Sequence, residues 1–359
     1  MAATTHTEAT TMSESNVEYR KLQITGGSTF IVSLPKHWIR DNGLKQSDVV
    51  GVEVLPSGEL QITPNETRSF KRRATLDLDR LPQGALFDFL IGMYVSGCDA
   101  ITVHSKDGLS SAQRRTIRTF LRDTRGMEIA DDSERSVDII SLLNPNELPL
   151  QVSLNRMYLL VTSVVDDAID VLDGEDADLL IDLEDRERQV DARRMLVDRQ
   201  VAMALQSPSI ERTLGVDRFQ AMEHASMARA LERMGDHARS FANIIVHHRD
   251  RLTPDVVKQP RQQLDVWAAS LRSIIRNTYS KDVNAIIDAK RNLHAAIKAL
   301  ESFEEDIVEG NAGKKGRSVL HFRFSEKIRR LCAYSIDLSE TLINMLMASR
   351  ITSLDPDRT

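Results

Sequence analysis

Apolar residues recur every three or four positions along most of the chain after residue 150, which is the period of an amphipathic α-helix. The spacing predicts six long helices, separated by polar or proline-containing links. Their predicted bounds are 153–172, 177–204, 218–248, 262–279, 283–309 and 318–348. Three helices followed by three of similar length indicate a tandem repeat, with one bundle at 151–250 and a second at 260–350.

The segment 17–65 shows a different pattern, with short alternating apolar runs typical of strands. It predicts strand, strand, a short helix at 36–42, then two more strands. Gly26 and Gly27 mark a turn, while Pro35 and Gly43 flank the short helix. About fifty residues are few for an independent core, so we expect this segment to dimerise.

Between these regions, residues 72–148 read as β-α-β-α-β-β and predict a small α/β sandwich. This stretch contains no phosphate-cradling glycine loop and no nucleophile–base arrangement in its sequence. The expected fold is therefore multidomain and mainly α, with a β-rich N-terminal domain, the sandwich and two helical bundles.

Two of the predicted helices each carry a pair of carboxylates beside the apolar stripe. Glu187 and Asp191 are four residues apart, and so are Glu232 and Asp236, so each pair points from one side of its helix. Like charges at this spacing repel, and solvent, a basic partner or a metal ion could relieve the repulsion. The spacing alone favours solvated charges partnered by neighbouring arginines.

The amino-acid sequences of these two helices resemble those of a known family. The run Ala-Arg-Ala-Leu-Glu-Arg-Met-Gly-Asp-His-Ala, which begins at Ala228, closely resembles the signature helix of the PhoU family of phosphate-signalling proteins. The run Arg-Glu-Arg-Gln-Val-Asp, which ends at Asp191, is similar to that family's preceding carboxylate motif. The resemblance implies a three-helix bundle repeat, usually present twice, whose acidic motifs hold a metal cluster in some members.

Carried over residue by residue, the candidate metal ligands are Glu187, Asp191, Glu232 and Asp236. Carboxylate oxygens suit magnesium, manganese or iron, so the expected cofactor is a divalent or iron-type metal ion at the first helical repeat. The second repeat departs from this pattern. Arg330 stands four residues after Glu326, and Arg291 and Ala295 replace the other acids, so we expect no metal there.

The N-terminal segment resembles a second family. Four short motifs in this segment match the AbrB-type (SpoVT-AbrB-like) swapped-hairpin DNA-binding domain. They are Leu34-Pro-Lys-His-Trp-Ile-Arg, Gly43-Leu, Asp48-Val-Val and Leu60-Gln-Ile-Thr-Pro. The resemblance implies a homodimer in which two chains interleave their hairpins. The basic positions that would meet DNA are Arg20, Lys21, Lys36, His37 and Arg40.

One departure leaves an alternative open for this domain. The turn at Gly26 and Gly27 lacks the family's usual basic residue, and acids equal bases between residues 18 and 59. Dimerisation without DNA binding is therefore a second interpretation. Phosphate contacts by Lys and Arg would give an affinity that falls with salt, which separates the two.

Composition limits the classes of protein to which the chain can belong. The 359 residues contain 47 basic and 53 acidic side chains, so the net charge of -6 gives no global signal for nucleic acid. Cys98 and Cys332 form no metal-spaced pair and fit a reducing cytoplasm. We see no secretion signal and no apolar run long enough for a membrane span. Residues 1–16 predict a disordered tail, and the expected location is cytoplasmic.

The leading functional hypothesis is a regulator of phosphate uptake that binds DNA through its N-terminal dimer and senses transporter state or metal through its helices. The alternative is an adaptor that does not bind DNA and docks a phosphate ABC transporter ATPase subunit or a sensor kinase. An enzyme is not expected, because no positioned nucleophile or oxyanion donor accompanies the carboxylates.

Overall fold

The computed structural model describes residues 17–55, 58–64, 72–143, 149–309 and 319–351. The chain divides into two compact units, Met1–Phe70 and Lys71–Thr359, called unit 1 and unit 2. The predicted disordered tail at 1–16 lies outside the described residues. So does the segment 66–71, which the sequence predicts as a linker between the N-terminal domain and the α/β sandwich.

Unit 1 contains two hairpins and one short helix, in the predicted order. Its elements are β1 (Gln23–Thr25), β2 (Thr29–Ile31), α1 (Lys36–Asp41), β3 (Val50–Val54) and β4 (Leu60–Pro64). β1 pairs with β2 and β3 pairs with β4, both antiparallel. Gly26 and Gly27 turn the first hairpin with φ angles of 60° and 90°, which favour glycine.

Unit 1 has no buried side chain among its described residues. Large apolar side chains from both hairpins stand more than a third exposed, and Val54 reaches 69%. We call this set the apolar surface of unit 1: Val17, Tyr19, Leu22, Ile24, Phe30, Ile31, Val32, Val49, Val52, Val54 and Leu60. A single copy of unit 1 therefore lacks a core.

Unit 2 begins with the predicted β-α-β-α-β-β layer. Its elements are β5 (Arg73–Asp77), α2 (Leu86–Val95), β6 (Ala100–His104), α3 (Ser111–Asp123), β7 (Met127–Asp132) and β8 (Ser136–Ser141). The sheet order is β5-β6-β8-β7, parallel between β5 and β6 and antiparallel elsewhere. Leu90 and Tyr94 of α2 and Phe120 of α3 are buried with Ile101 and Val103 of β6 in the core of this α/β layer.

The rest of unit 2 is helical, as predicted. The helices are α4 (Leu150–Asp173), α5 (Leu183–Gln206), α6 (Pro208–Leu214), α7 (Arg218–His248), α8 (Pro254–Ser280), α9 (Val283–Val308) and α10 (Val319–Ala348). Two predicted breaks are wrong. The link before α7 contains the short helix α6, and α8 starts at Pro254 and continues through the buried Pro260. Pro208 and Pro254 occupy the first helical turn, where no backbone donor is needed.

The two predicted bundles share one continuous hydrophobic core. α7 packs against α4 and α5 on one side and against α10 on the other. At the α7–α10 contact, the rings of Phe241 and Phe324 lie 4.9 Å apart. Trp267 of α8 donates a hydrogen bond of 3.0 Å to Ser335 of α10. The six long helices therefore form a single packed body.

α5 belongs to this body and also contacts the α/β layer. Met195 contributes to the core of the α/β layer. Arg199 is only 3% exposed, and its guanidinium donates to the backbone oxygens of Tyr94 at 2.9 Å and Cys98 at 2.7 Å. It also donates to Asp99 Oδ1 at 3.0 Å. The two parts of unit 2 are thus joined by apolar packing and by a buried ion pair.

Candidate functional site

The four carboxylates singled out in the sequence lie along the contact between α5 and α7. Two side-chain pairs show that these helices run antiparallel. Arg239, in the second half of α7, donates to Glu187 near the start of α5 at 2.8 Å. Arg229, nearer the start of α7, lies 3.8 Å from Asp198, which comes later in α5. Gly235 permits a close approach here, because a Cβ at that position would lie 3.4 Å from Val190 of α5.

We call Glu187, Asp191, Glu232 and Asp236 the acid cluster. Asp191 is half-buried, and its pKa is raised to about 6 by burial and then by the negative charges of Glu232, Glu187 and Asp236. Burial, followed by the charge of Asp236, also raises the pKa of Glu232. The acids therefore interact across the two helices, which brings together the residues that the sequence paired only within each helix.

The acid cluster is partly neutralised by arginines. Arg239 pairs with Glu187, and the charge of Arg194 opposes the raised pKa of both Asp191 and Glu232. Across the described parts of the chain, no three His, Cys, Asp or Glu side chains lie close enough together to hold a metal ion. Carboxylate oxygens suit a hard cation, but ligation by all four would require Glu187 to leave Arg239.

The candidate DNA-binding residues lie before β1 and along α1 in unit 1, and three of them have acidic neighbours. Arg20 pairs with Glu18, and His37 Nδ1 lies 3.7 Å from the same carboxylate. Arg40 lies 3.3 Å from Asp41. These three residues therefore already have a local anionic partner.

Lys21 and Lys36 differ from these three. Both are exposed, and neither has a carboxylate within 4.0 Å among the residues that the structure describes. Lys36 is the first residue of α1, and Lys21 lies two residues before β1. They are the two candidates best placed to contact an external phosphate.

A comparison with family models identifies both regions. The model of the PhoU domain matches residues 154–245, which span α4 to α7 and include the acid cluster. The chain contains a PhoU domain. A second model, described as antidote-toxin recognition MazE, bacterial antitoxin, matches residues 23–70 and covers the strands of unit 1. No curated protein and no solved structure matches the chain.

These matches confirm the two resemblances, a PhoU domain behind an N-terminal domain of the MazE and AbrB type. Both are regulatory, non-enzymatic families. The PhoU domain indicates phosphate-related regulation, and the MazE-type domain indicates DNA binding or dimerisation. Among the described helices, none has both the length and the apolarity to cross a membrane.

The helices after the PhoU match carry a different charge pattern. Glu326 of α10 accepts from Arg330 at 2.9 Å and lies 2.9 Å from Lys327. Burial works to raise the pKa of Glu326, but the bonds from Lys327 and Arg330 outweigh it, so the pKa is lowered. This acid is thus paired with bases, whereas Asp191 is surrounded by acids.

Sequence reasoning missed the role of the arginines around the PhoU domain. Arg199 joins α5 to the α/β layer, and Arg239 reaches across to Glu187. One signal in the sequence is that Arg199 stands four residues from both Met195 and Met203, so it shares a helix face with two apolar residues. Nothing in the sequence shows which distant acids these arginines contact.

Proposed function

We propose that this protein is a dimeric, DNA-binding regulator of phosphate uptake or phosphate signalling. In this proposal, unit 1 forms the dimer and contacts DNA, and the PhoU domain is the sensor. The two family matches support phosphate-related regulation at one end and DNA binding or dimerisation at the other.

The observation that carries the proposal is the apolar surface of unit 1. Each strand of both hairpins contributes exposed apolar residues, such as Phe30 at 65% and Leu60 at 64%, while no described residue of this unit is buried. Burial of such surface is the main driving force for association, so a second copy of unit 1 supplies the missing core. This expectation agrees with the dimer that the AbrB resemblance implies.

DNA binding is supported by Lys21 and Lys36. Lysine ammonium groups without an internal acid partner can neutralise backbone phosphates and release counterions. In a dimer each lysine occurs twice, which doubles the number of phosphate contacts. Arg20, His37 and Arg40 would contribute only after exchanging their acidic neighbours for phosphates.

Sensing is assigned to the PhoU domain and its acid cluster. A divalent or iron-type metal ion would replace mutual repulsion among Asp191, Glu187, Glu232 and Asp236 with attraction. Docking of a phosphate transporter ATPase subunit or a sensor kinase on the same helices is the other input we propose. Either input alters DNA affinity only if it binds two states of the protein differently.

The second candidate function is an adaptor whose unit 1 only dimerises. The acidic neighbours of Arg20, His37 and Arg40 favour it, because they leave few positive charges for DNA. In this case the PhoU domain would still dock a transporter or kinase, and the protein would act without nucleic acid.

The test is salt-dependent binding of the full chain to DNA from its own upstream region. Wild type is compared with Lys21→Ala/Lys36→Ala and with Lys45→Ala, which removes an exposed lysine of unit 1 outside the candidate set. We expect the double variant to reduce the slope of log K against log salt by about 2 per protomer, and Lys45→Ala to leave it unchanged. No binding by wild type at low salt rejects the DNA regulator and leaves the adaptor.

A further inference from the structure

The four-stranded sheet of unit 2 has two edge strands, β5 and β7, and β7 is protected against pairing with another chain. Its pairing with β8 shifts register at a bulge between Ile129 and Asp131. Three exposed acids, Glu128, Asp131 and Asp132, place negative charge along the same strand. Bulges and charged side chains are the usual devices that keep a sheet edge from accepting a further strand.

β5 forms the other edge and has no bulge. It pairs with β6 in an unbroken parallel register, from Arg73 opposite Ala100 to Asp77 opposite His104. No other strand in the described part of the chain pairs with β5, and β5 contains no proline. A regular edge strand of this kind is a template for the backbone of another strand.

The register with β6 shows which backbone groups of β5 point away from the sheet. The N–H of Ala100 donates to the backbone oxygen of Arg72 at 3.0 Å. In a parallel pair, the N–H and C=O of one residue point to the same side, and the side alternates along the strand. Every second residue from Arg72 onward therefore bonds toward β6. The residues that direct their N–H and C=O groups to the free edge are Arg73, Thr75 and Asp77.

The sequence of β5, Arg-Ala-Thr-Leu-Asp, is complementary to itself in an antiparallel pair. When Thr75 lies opposite Thr75 of a second copy, Arg73 of each copy lies opposite Asp77 of the other. The same three positions carry the free backbone groups, so one register satisfies both the backbone and the side chains. Opposite charges and Thr–Thr pairs directly across antiparallel strands both stabilise a sheet.

The side chains at these positions are accessible to a partner. Arg73 and Thr75 are exposed, and Arg73 has no carboxylate within 4.0 Å among the described residues. Asp77 lies 3.3 Å from Arg80, whose side chain is 86% exposed, and its other oxygen accepts from the N–H of Asp79. An exposed pair such as Asp77–Arg80 contributes little to stability, so it does not hold Asp77 back from a second arginine.

We propose that the free edge of β5 binds β5 of a second copy of this chain, which joins two four-stranded sheets into one continuous sheet. A pair of five-residue strands is small for an interface that stands alone. The second copy is the one that unit 1 recruits, so the inference rests on the proposed function. Residues 65–72 alone separate β4 from β5, and a short tether gives the two β5 strands of a dimer a high effective concentration.

The first test is disulfide crosslinking of the full chain through Thr75→Cys. Residues directly opposite in a hydrogen-bonded antiparallel pair have Cα atoms about 5.5 Å apart, which is within the range of a disulfide. The native Cys98 and Cys332 are both buried. We expect mild oxidation at low protein concentration to give a covalent dimer on a non-reducing gel. Glu128→Cys, also exposed but on the protected edge strand β7, is the control and should give none.

Charge variants in the Thr75→Cys background test the register. Arg73→Asp places an acid opposite Asp77 at both ends of the strand pair, and we expect the crosslinking rate to fall about tenfold. Arg73→Asp/Asp77→Arg restores opposite charges and should restore the rate. Arg115→Asp makes the same charge change at an exposed position of α3 and should leave the rate unchanged. Equal rates in Arg73→Asp and Arg115→Asp, or no recovery in the charge swap, overturn the proposed pairing.

The mass of the full chain in solution separates this inference from the proposed dimer of unit 1. A dimeric Thr75→Cys chain that does not crosslink overturns the β5 contact and leaves the dimer of unit 1. A monomeric chain that does not crosslink overturns both. Crosslinking that Val54→Asp abolishes supports the β5 contact within the dimer of unit 1. Crosslinking that persists in Val54→Asp supports the β5 contact and removes the need for unit 1.

Discussion

Arg199 of α5 donates a hydrogen bond of 3.0 Å to Asp99 of the α/β layer, and the arginine side chain is only 3% exposed. The other oxygen of the same carboxylate accepts from the backbone N–H of Arg72 at 3.0 Å. Asp99 therefore connects the beginning of β5 and the turn before β6 with the helical body. Removal of one partner would leave the other group partly buried and unpaired.

Arg199→Ala should therefore destabilise unit 2 strongly. Loss of one partner from a buried pair costs about 3 kcal/mol or more, which corresponds to a fall in Tm of roughly 5–10 °C. Thermal unfolding of the full chain measures this change. The control is Arg291→Ala, which breaks an exposed pair with Asp288 and should change stability by less than about 1 kcal/mol. Equal Tm values for the two variants would contradict a structural role for Arg199.

Asp191 should give the protein an unusual pH dependence. Its pKa in the folded protein is about 6, above the ordinary aspartate value of 3.8, so the folded state binds this proton more tightly than the unfolded state. Ionised Asp191 therefore costs stability above pH 6, and this cost disappears as the pH falls from about 6 to about 4. Most carboxylates, whose pKa is lowered by folding, show the opposite trend.

Asp191→Asn should remove this cost. A pKa raised from 3.8 to about 6 corresponds to at most about 3 kcal/mol, and partial solvent exposure reduces the expected gain to about 1–2 kcal/mol. The Tm should rise at pH 7.5 and stay nearly unchanged at pH 4.5. Asp185→Asn, which removes an exposed acid of α5 paired with Arg188, should give no gain at either pH.

Added manganese or magnesium should stabilise the wild type through the acid cluster. A cation bound there lowers the pKa of Asp191 and raises the Tm in proportion to the logarithm of the metal concentration. Asp191→Asn should abolish most of this rise in Tm. Glu326→Gln, which alters an acid of α10 that is paired with Lys327 and Arg330, should keep it. A wild-type Tm that is indifferent to millimolar metal would remove the metal from the proposed function.

Val54→Asp should prevent the dimerisation that we propose for unit 1. Val54 is 69% exposed at the end of β3, within the apolar surface that a second copy of unit 1 would bury. A buried, unpaired carboxylate in that interface costs several kcal/mol. Light scattering after size-exclusion chromatography gives the mass directly. Glu53→Gln, on the opposite face of the same strand, serves as the control and should remain dimeric.

Local sequence signals were sufficient for much of the fold. The period of apolar residues gave the six long helices, and alternating residues with glycine turns gave the hairpins of unit 1. α6 was missed because Ser207-Pro208 looks like a break, although proline in the first turn is also a helix start. For the same reason the first turns of α8 were assigned to a link.

The candidate sites were predictable only within single helices. Spacing placed Glu187 with Asp191 and Glu232 with Asp236, and only the PhoU resemblance grouped the two pairs as candidate ligands of one metal site. The contacts of Arg239 and Arg199 depend on which elements become neighbours after packing. Such contacts join residues that are far apart in sequence, for example Asp99 and Arg199, and no local periodicity encodes them.

The shared core of the helices also bears on how the chain can be divided experimentally. The PhoU match ends at residue 245, within α7, yet α10 covers a face of α7 that carries Phe241 and Met234, and α8 and α9 pack against α10. A fragment cut at the end of the match would expose these side chains to water and would aggregate or unfold. The region that the PhoU family model matches is thus smaller than the part of the chain that can fold by itself, and an expression fragment that contains the PhoU domain needs α8 to α10 as well.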